Sequence, residues 1–162
     1  MTGKFIQNNG VINCVVPVAD TFASAANGDV IRADGCEEVV FIVVTGASAA
    51  TENVITVQAC DTVVPGTGTA ITFNYVSVTT AGTYGALTAA TVSGFSMASA
   101  TANQYHIIMV DPADVEAANS HAGNRYVRCV VTEDQDVPQV GCVVGLRTGE
   151  HQAHDVLQSA IV

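Results

Sequence analysis

No tryptophan occurs in this sequence, and 4 tyrosines and 5 phenylalanines supply all its larger aromatic rings. Little material is left for an exposed aromatic platform of the kind that grips sugars. Basic residues are as scarce. Lys4, Arg32, Arg125, Arg128 and Arg147 stand against 15 acidic residues, for a net charge of -10. They are scattered, and a phosphate-binding surface needs them clustered. Neither nucleic acid nor an anionic membrane is therefore expected as a partner. No apolar run approaches the ~20 residues of a membrane span. The opening Met1-Thr2-Gly3-Lys4-Phe5 lacks the charged-then-apolar layout of a signal peptide, so we expect a soluble chain made and kept in a cytoplasm. The 5 cysteines are odd in number, widely spaced, and form no C-x-x-C pair. That argues against a disulfide framework and a zinc ribbon. Cys14, Cys129 and Cys142 sit inside apolar strand patterns and read as small buried hydrophobes.

What is present is apolar. Hydrophobic residues make up 49% of the 162 and charged residues 12%, the reverse of a disordered composition. The length suits one domain, which can bury roughly 70% of its unfolded surface without staples. Residues 39–44, a continuous and mostly β-branched run bracketed by Asp34-Gly35 and Gly46-Ala47-Ser48, read as a central strand buried on both faces. Residues 105–110 are apolar on both faces in the same way. Residues 11–18 alternate through Ile12, Cys14, Val16 and Val18, and Pro17 puts that strand at an edge. A short strand is expected around 30–33. Residues 53–60 turn Ile55, Val57 and Ala59 one way and Thr56, Gln58 and Cys60 the other. Residues 70–78 alternate through Ile71, Phe73 and Tyr75, then switch phase at Val76, which suggests a bulge or bend. The Thr-, Ala- and Gly-rich stretch 79–99 reads as a hairpin arm or short edge strands near 88–95. Asp111-Pro112 starts a short helix near 112–118, with Asp111 as N-cap and Pro112 in the first turn. Residues 126–132, with Val127, Cys129 and Val131 inward, and 140–146 are the last strands. The fold class is all-β: an antiparallel β-sandwich or jelly-roll-like barrel with one short helix. The divisions are an N-terminal arm (1–10), a β-sandwich domain (11–147) and a C-terminal tail (148–162).

Candidate chemistry is thin. His151 and His154, flanked by Glu150 and Asp155, have a spacing that can pair two imidazoles. A zinc site needs a third ligand and a fixed frame, and a solvated tail is the better reading. His106 lies inside a strand beside Tyr105 and reads as structural. Ser93-Gly94 and Gly46-Ala47-Ser48 lack the sharp turn of a nucleophile. Glu133, Asp134 and Asp136 form an acidic set that reads as a solvated loop rather than a calcium site or catalytic carboxylate pair. Gly66-Thr67-Gly68 is too short for a phosphate loop. No enzyme, no metal and no cofactor is expected.

Several stretches, taken in order, resemble a family of tailed-phage head proteins encoded close to the major capsid protein. They are Val39-Val40-Phe41-Ile42-Val43-Val44-Thr45-Gly46-Ala47, Val54-Ile55-Thr56-Val57-Gln58-Ala59-Cys60-Asp61, and Ile71-Thr72-Phe73-Asn74-Tyr75. Tyr105-His106-Ile107-Ile108-Met109-Val110-Asp111-Pro112 and Arg125-Tyr126-Val127-Arg128-Cys129-Val130-Val131 complete the set, which spans roughly residues 11–147. Family members often close with an Arg-aromatic pair, where this chain has Arg147-Thr148. The resemblance implies a capsid decoration, or cement, protein: a late, non-enzymatic virion protein on the outer capsid surface. It would assemble in the host cytoplasm, bridge major capsid protein subunits, and associate with copies of itself, for instance as a trimer. The apolar residues of the tail, Val156, Leu157, Ile161 and Val162, are the expected partner contacts. The alternative is a phage tail or fibre module that binds a receptor or glycan.

Overall fold

The run at the middle of the chain forms β4 (Glu38–Thr45), paired along its whole length with β12 (Gly141–Thr148) on one side and from Val39 onward with β10 (Gln104–Val110) on the other. The computed structural model describes residues 9–47, 53–65, 68–97, 103–118, 125–134 and 137–149. The first sheet runs β1-β12-β4-β10-β7-β8, adding β1 (Gly10–Val15), β7 (Phe73–Val78) and β8 (Thr88–Ala90). In the second sheet β11 (Tyr126–Thr132) pairs with β5 (Val54–Cys60). The outer side of β11 holds β2 (Ala25–Asn27) and β3 (Ile31–Arg32). That of β5 holds β6 (Thr69–Ile71) and β9 (Phe95–Ser96). The described strand pairs are antiparallel and the two sheets face each other as a sandwich; no barrel closes.

Burial follows strand parity. Val39, Phe41 and Val43 of β4, Ile108 and Val110 of β10, and Ile55, Val57, Val127, Cys129 and Val131 of the second sheet are fully buried between the layers. Gly145 has no side chain because Ile31 and the Cys14 thiol occupy the space a Cβ would take. Gly141 yields to the Phe22 ring in the same way. A buried polar clasp closes one end: Thr21 Oγ1 bonds both backbone groups of Gly141, and Gln139 bridges the Asn53 amide (2.8 Å) to the Gly46 carbonyl (3.1 Å).

The short helix α1 (Pro112–Ala117) begins as the sequence predicts. The Asp111 carboxylate accepts from Ala113 N–H at 2.8 Å, Pro112 occupies the first turn, and Val115 anchors the helix to the core.

Five expectations are corrected. β4 and β10 are buried on one face, not two: their alternate residues are half-buried, and Val44 is 39% exposed. The first strand stops at Val15, before Pro17, and Val16 and Val18 lie in the open. Cys60 is buried rather than facing solvent with Thr56 and Gln58. The break in 70–78 falls at Thr72, where the chain leaves β6 in the second sheet and enters β7 in the first. That is a change of sheet rather than a bulge. Thr148, assigned to the tail by sequence, is the last residue of β12.

Candidate interaction surface

The outer face of the first sheet is built from the residues that alternate with the core. Registered pairing sets them in rows across the strands. One row runs Val11, Leu146, Val40, Met109, Asn74. The next runs Asn13, Val144, Ile42, Ile107, Val76. The third runs Cys142, Val44, Tyr105, Val78. Val11 is 49% exposed and the middle of the grid is half-buried by its own neighbours. Val78 is already buried where the chain after β7 turns back, with Gly85 N–H donating to the Ser77 carbonyl at 2.9 Å. No charged residue interrupts these rows. Charge begins at the rim, where Glu38 extends the outward stripe of β4 past Val40. Burial, and secondarily Asp111, push the Glu38 carboxyl above its ordinary value.

The start of β1 and the end of β12 meet at one corner of this face. Gly10, near the start of β1, pairs with Arg147, near the end of β12. Beyond them lie residues 1–8 and 150–162. The expected partner contacts Val156, Leu157, Ile161 and Val162, and the candidate metal residues Glu150, His151, His154 and Asp155, lie outside the described residues.

The other candidates resolve into structural roles. His106 points inward and is buried; its Nδ1 lies 2.8 Å from Ser77 Oγ and its ring meets the edge of Phe95. Burial lowers its pKa to about 4. Phe95 stacks on Tyr75 at 3.8 Å, nearly parallel, and packs against Phe73, so these rings pin β9 to β7 across the sandwich. Glu133 accepts from the Ser24 (2.9 Å) and Val137 (3.0 Å) amides, which makes it a loop clasp rather than a solvated bystander. Asp134 is exposed, and Asp136 lies outside the described residues. Ser93 sits on an exposed turn closed by Thr91 and Gly94, with its amide on Thr91 Oγ1. Ser48, Gly66 and Thr67 lie outside the described residues. Among the described residues no three His, Cys, Asp or Glu side chains gather at metal-binding distance.

None of the five cysteines is joined in a disulfide. Cys14, Cys36, Cys60 and Cys129 are buried, and burial pushes the Cys14 thiol up to about 12. Cys142 is the thiol on the outer face. A shallow groove between β7 and β8, lined by Phe73, Asn74, Ala89, Ala90 and Asp114 among others, holds one carboxylate and no second reactive group.

The face that dominates this surface was not identified from sequence. Its signal was the absence of polar residues at every second position of β4 and β10. A strand with two buried faces carries the same pattern.

No protein-family model matches this sequence, and no curated protein matches it. The crystal structure of the SPBc2 prophage-derived protein YomS is similar at 14% identity and a TM-score of 0.44, over 86% of this chain and 92% of that one.

Proposed function

We propose that this chain is a non-enzymatic structural protein of a tailed-phage virion, seated on the outer capsid surface and bridging major capsid protein subunits. The observation that carries a structural role is the charge-free apolar face of the first sheet, a surface suited to protein contact rather than to holding a small molecule. The capsid assignment draws on the ordered resemblance, whose stretches form β4, β5, β6 with β7, β10 and β11. A net charge of -10 is repelled by packaged DNA, which favours an outer position. Free thiols suit assembly in a reducing compartment.

The test is to mix purified protein with undecorated heads of the phage that encodes it and reconstruct the particles by electron microscopy. Density is expected at regular sites on the shell, in hundreds of copies. Truncation after Thr148, which removes Val156, Leu157, Ile161 and Val162, should leave the circular dichroism spectrum unchanged and lower occupancy. Bare heads at saturating protein reject the reading. A few copies confined to the tail assign the chain to a tail or fibre module instead.

A further inference from the structure

We propose that the outer face of the first sheet is closed by the same face of a second copy, in a twofold pair that stacks four sheets. The inference rests on the reading of that face as a protein-contact surface.

Three properties of the face point to a second copy. The first is size. The three rows place fourteen outward residues on five strands at ~4.8 Å spacing and span about 24 Å by 20 Å, or roughly 480 Å². That is within the ~300–600 Å² range of the largest apolar patches monomers leave open. Two such faces together reach about 1,000 Å², the lower bound for a specific interface. The second is charge. Two chains that each carry -10 repel, and can meet closely where neither presents a charge. The rows through Ile42 and Val40 are such a place, with Glu38 left at the rim. The third is shape. Sheets pack face to face at ~10 Å through interdigitating apolar side chains, the arrangement already used inside each sandwich. A twofold interface needs one self-complementary patch per chain, whereas a ring of three needs two different patches that fit each other. The registered rows supply one continuous patch.

The middle row places Val144, Ile42 and Ile107 at the centre of the grid. A charge there meets its own copy across the twofold, and like charges in contact cost several kcal/mol, a loss of about 100-fold or more in affinity. Cys142, half-buried on the same face, reports on coverage independently, because the other four thiols are buried.

The experiment is sedimentation velocity of the full chain over a range of concentrations, under reducing conditions, with native-state alkylation of Cys142 read by peptide mass. The wild type is expected at twice the monomer mass, with slow labelling of Cys142. Ile42→Glu and Ile42→Lys should each sediment as monomers with unchanged circular dichroism and faster labelling. Mixed together, the two should pair again, which a fold-damaging substitution would not permit. Val64→Glu, on an exposed residue away from the face, should leave the dimer intact. A wild type that stays monomeric overturns the proposal. So does a dimer indifferent to both Ile42 substitutions. A monomer in which truncation after Thr148 releases Cys142 labelling also overturns it, and assigns the face to the chain's own C-terminal segment. Head occupancy plays no part in these measurements, so the capsid reading stands or falls separately.

Discussion

His106 and Ser77 face each other across β10 and β7, with Nδ1 2.8 Å from the hydroxyl oxygen, in the interior of the sandwich. Burial there lowers the imidazole from its usual 6.5 to about 4. The folded state disfavours the protonated ring, so this contribution to stability is fully present above pH 6.5 and is lost as pH falls towards 4. The loss is on the order of 3 kcal/mol. Urea midpoints measured across pH 7 to 4 should fall steeply for the wild type. His106→Asn should flatten that window, though it lowers stability at neutral pH. An unchanged slope in the variant refutes the assignment.

Glu38 behaves in the opposite sense. Its carboxyl is raised, mainly by burial, so the ionised form destabilises the folded chain at neutral pH. Stability is gained as pH falls through the raised value. Glu38→Gln should raise the melting temperature at pH 7 and lose that advantage near pH 4, where the wild-type carboxyl is protonated. Equal melting shifts at both pH values would remove the carboxyl from the explanation.

Gly145 is a packing requirement. A methyl group there collides with Ile31 and the Cys14 thiol. Gly145→Ala should cost about 1–3 kcal/mol by chemical denaturation. Adding Ile31→Val removes one of the obstructing methyls. The double variant should lose less than the sum of the two single losses. Simple additivity would place the strain elsewhere.

Ser24 and Glu133 tie the turn before β2 to the end of β11. Each amide donates to the other residue, Ser24 to the Glu133 carboxylate and Glu133 to the Ser24 carbonyl, both at 2.9 Å. Glu133→Ala should cost about 1–2 kcal/mol. Ser24 holds φ at 64°, a conformation in which any side chain is strained. Ser24→Gly should stabilise by up to ~1 kcal/mol through relief of that strain. Thermal melts of the two variants should therefore move in opposite directions.

The β class and its strongest strands were legible because their signals are local. Val39, Phe41 and Val43 needed nothing but their own run, and Asp111 with Pro112 marked the helix start by side-chain chemistry within three residues. The crossing at Thr72 left no mark. Ile71 and Phe73 both point into the same core from opposite sheets, so alternation passes unbroken through the change of sheet. β2 is three residues long and exists because β11 offers it pairing partners more than 100 positions away. The outer face stayed hidden for a different reason. Ile42 and Ile107 are the residue types a buried strand face would carry, and sequence does not record whether the covering layer belongs to the same chain.

Gly10 opposite Arg147 sets how the domain bears load. β1 and β12 are antiparallel neighbours, and β1 forms the sheet edge, so the first and last segments leave side by side. When those segments are drawn apart, force reaches the Gly10–Arg147 pair first and then Val11–Leu146, one rung at a time, and β1 peels away like a zip. When they are drawn together along the strand axis, the pairing between β1 and β12 is not loaded in that way. The domain would therefore stay whole under tension if both ends were anchored to one neighbour, and would lose its edge strand if they were anchored to two that move apart.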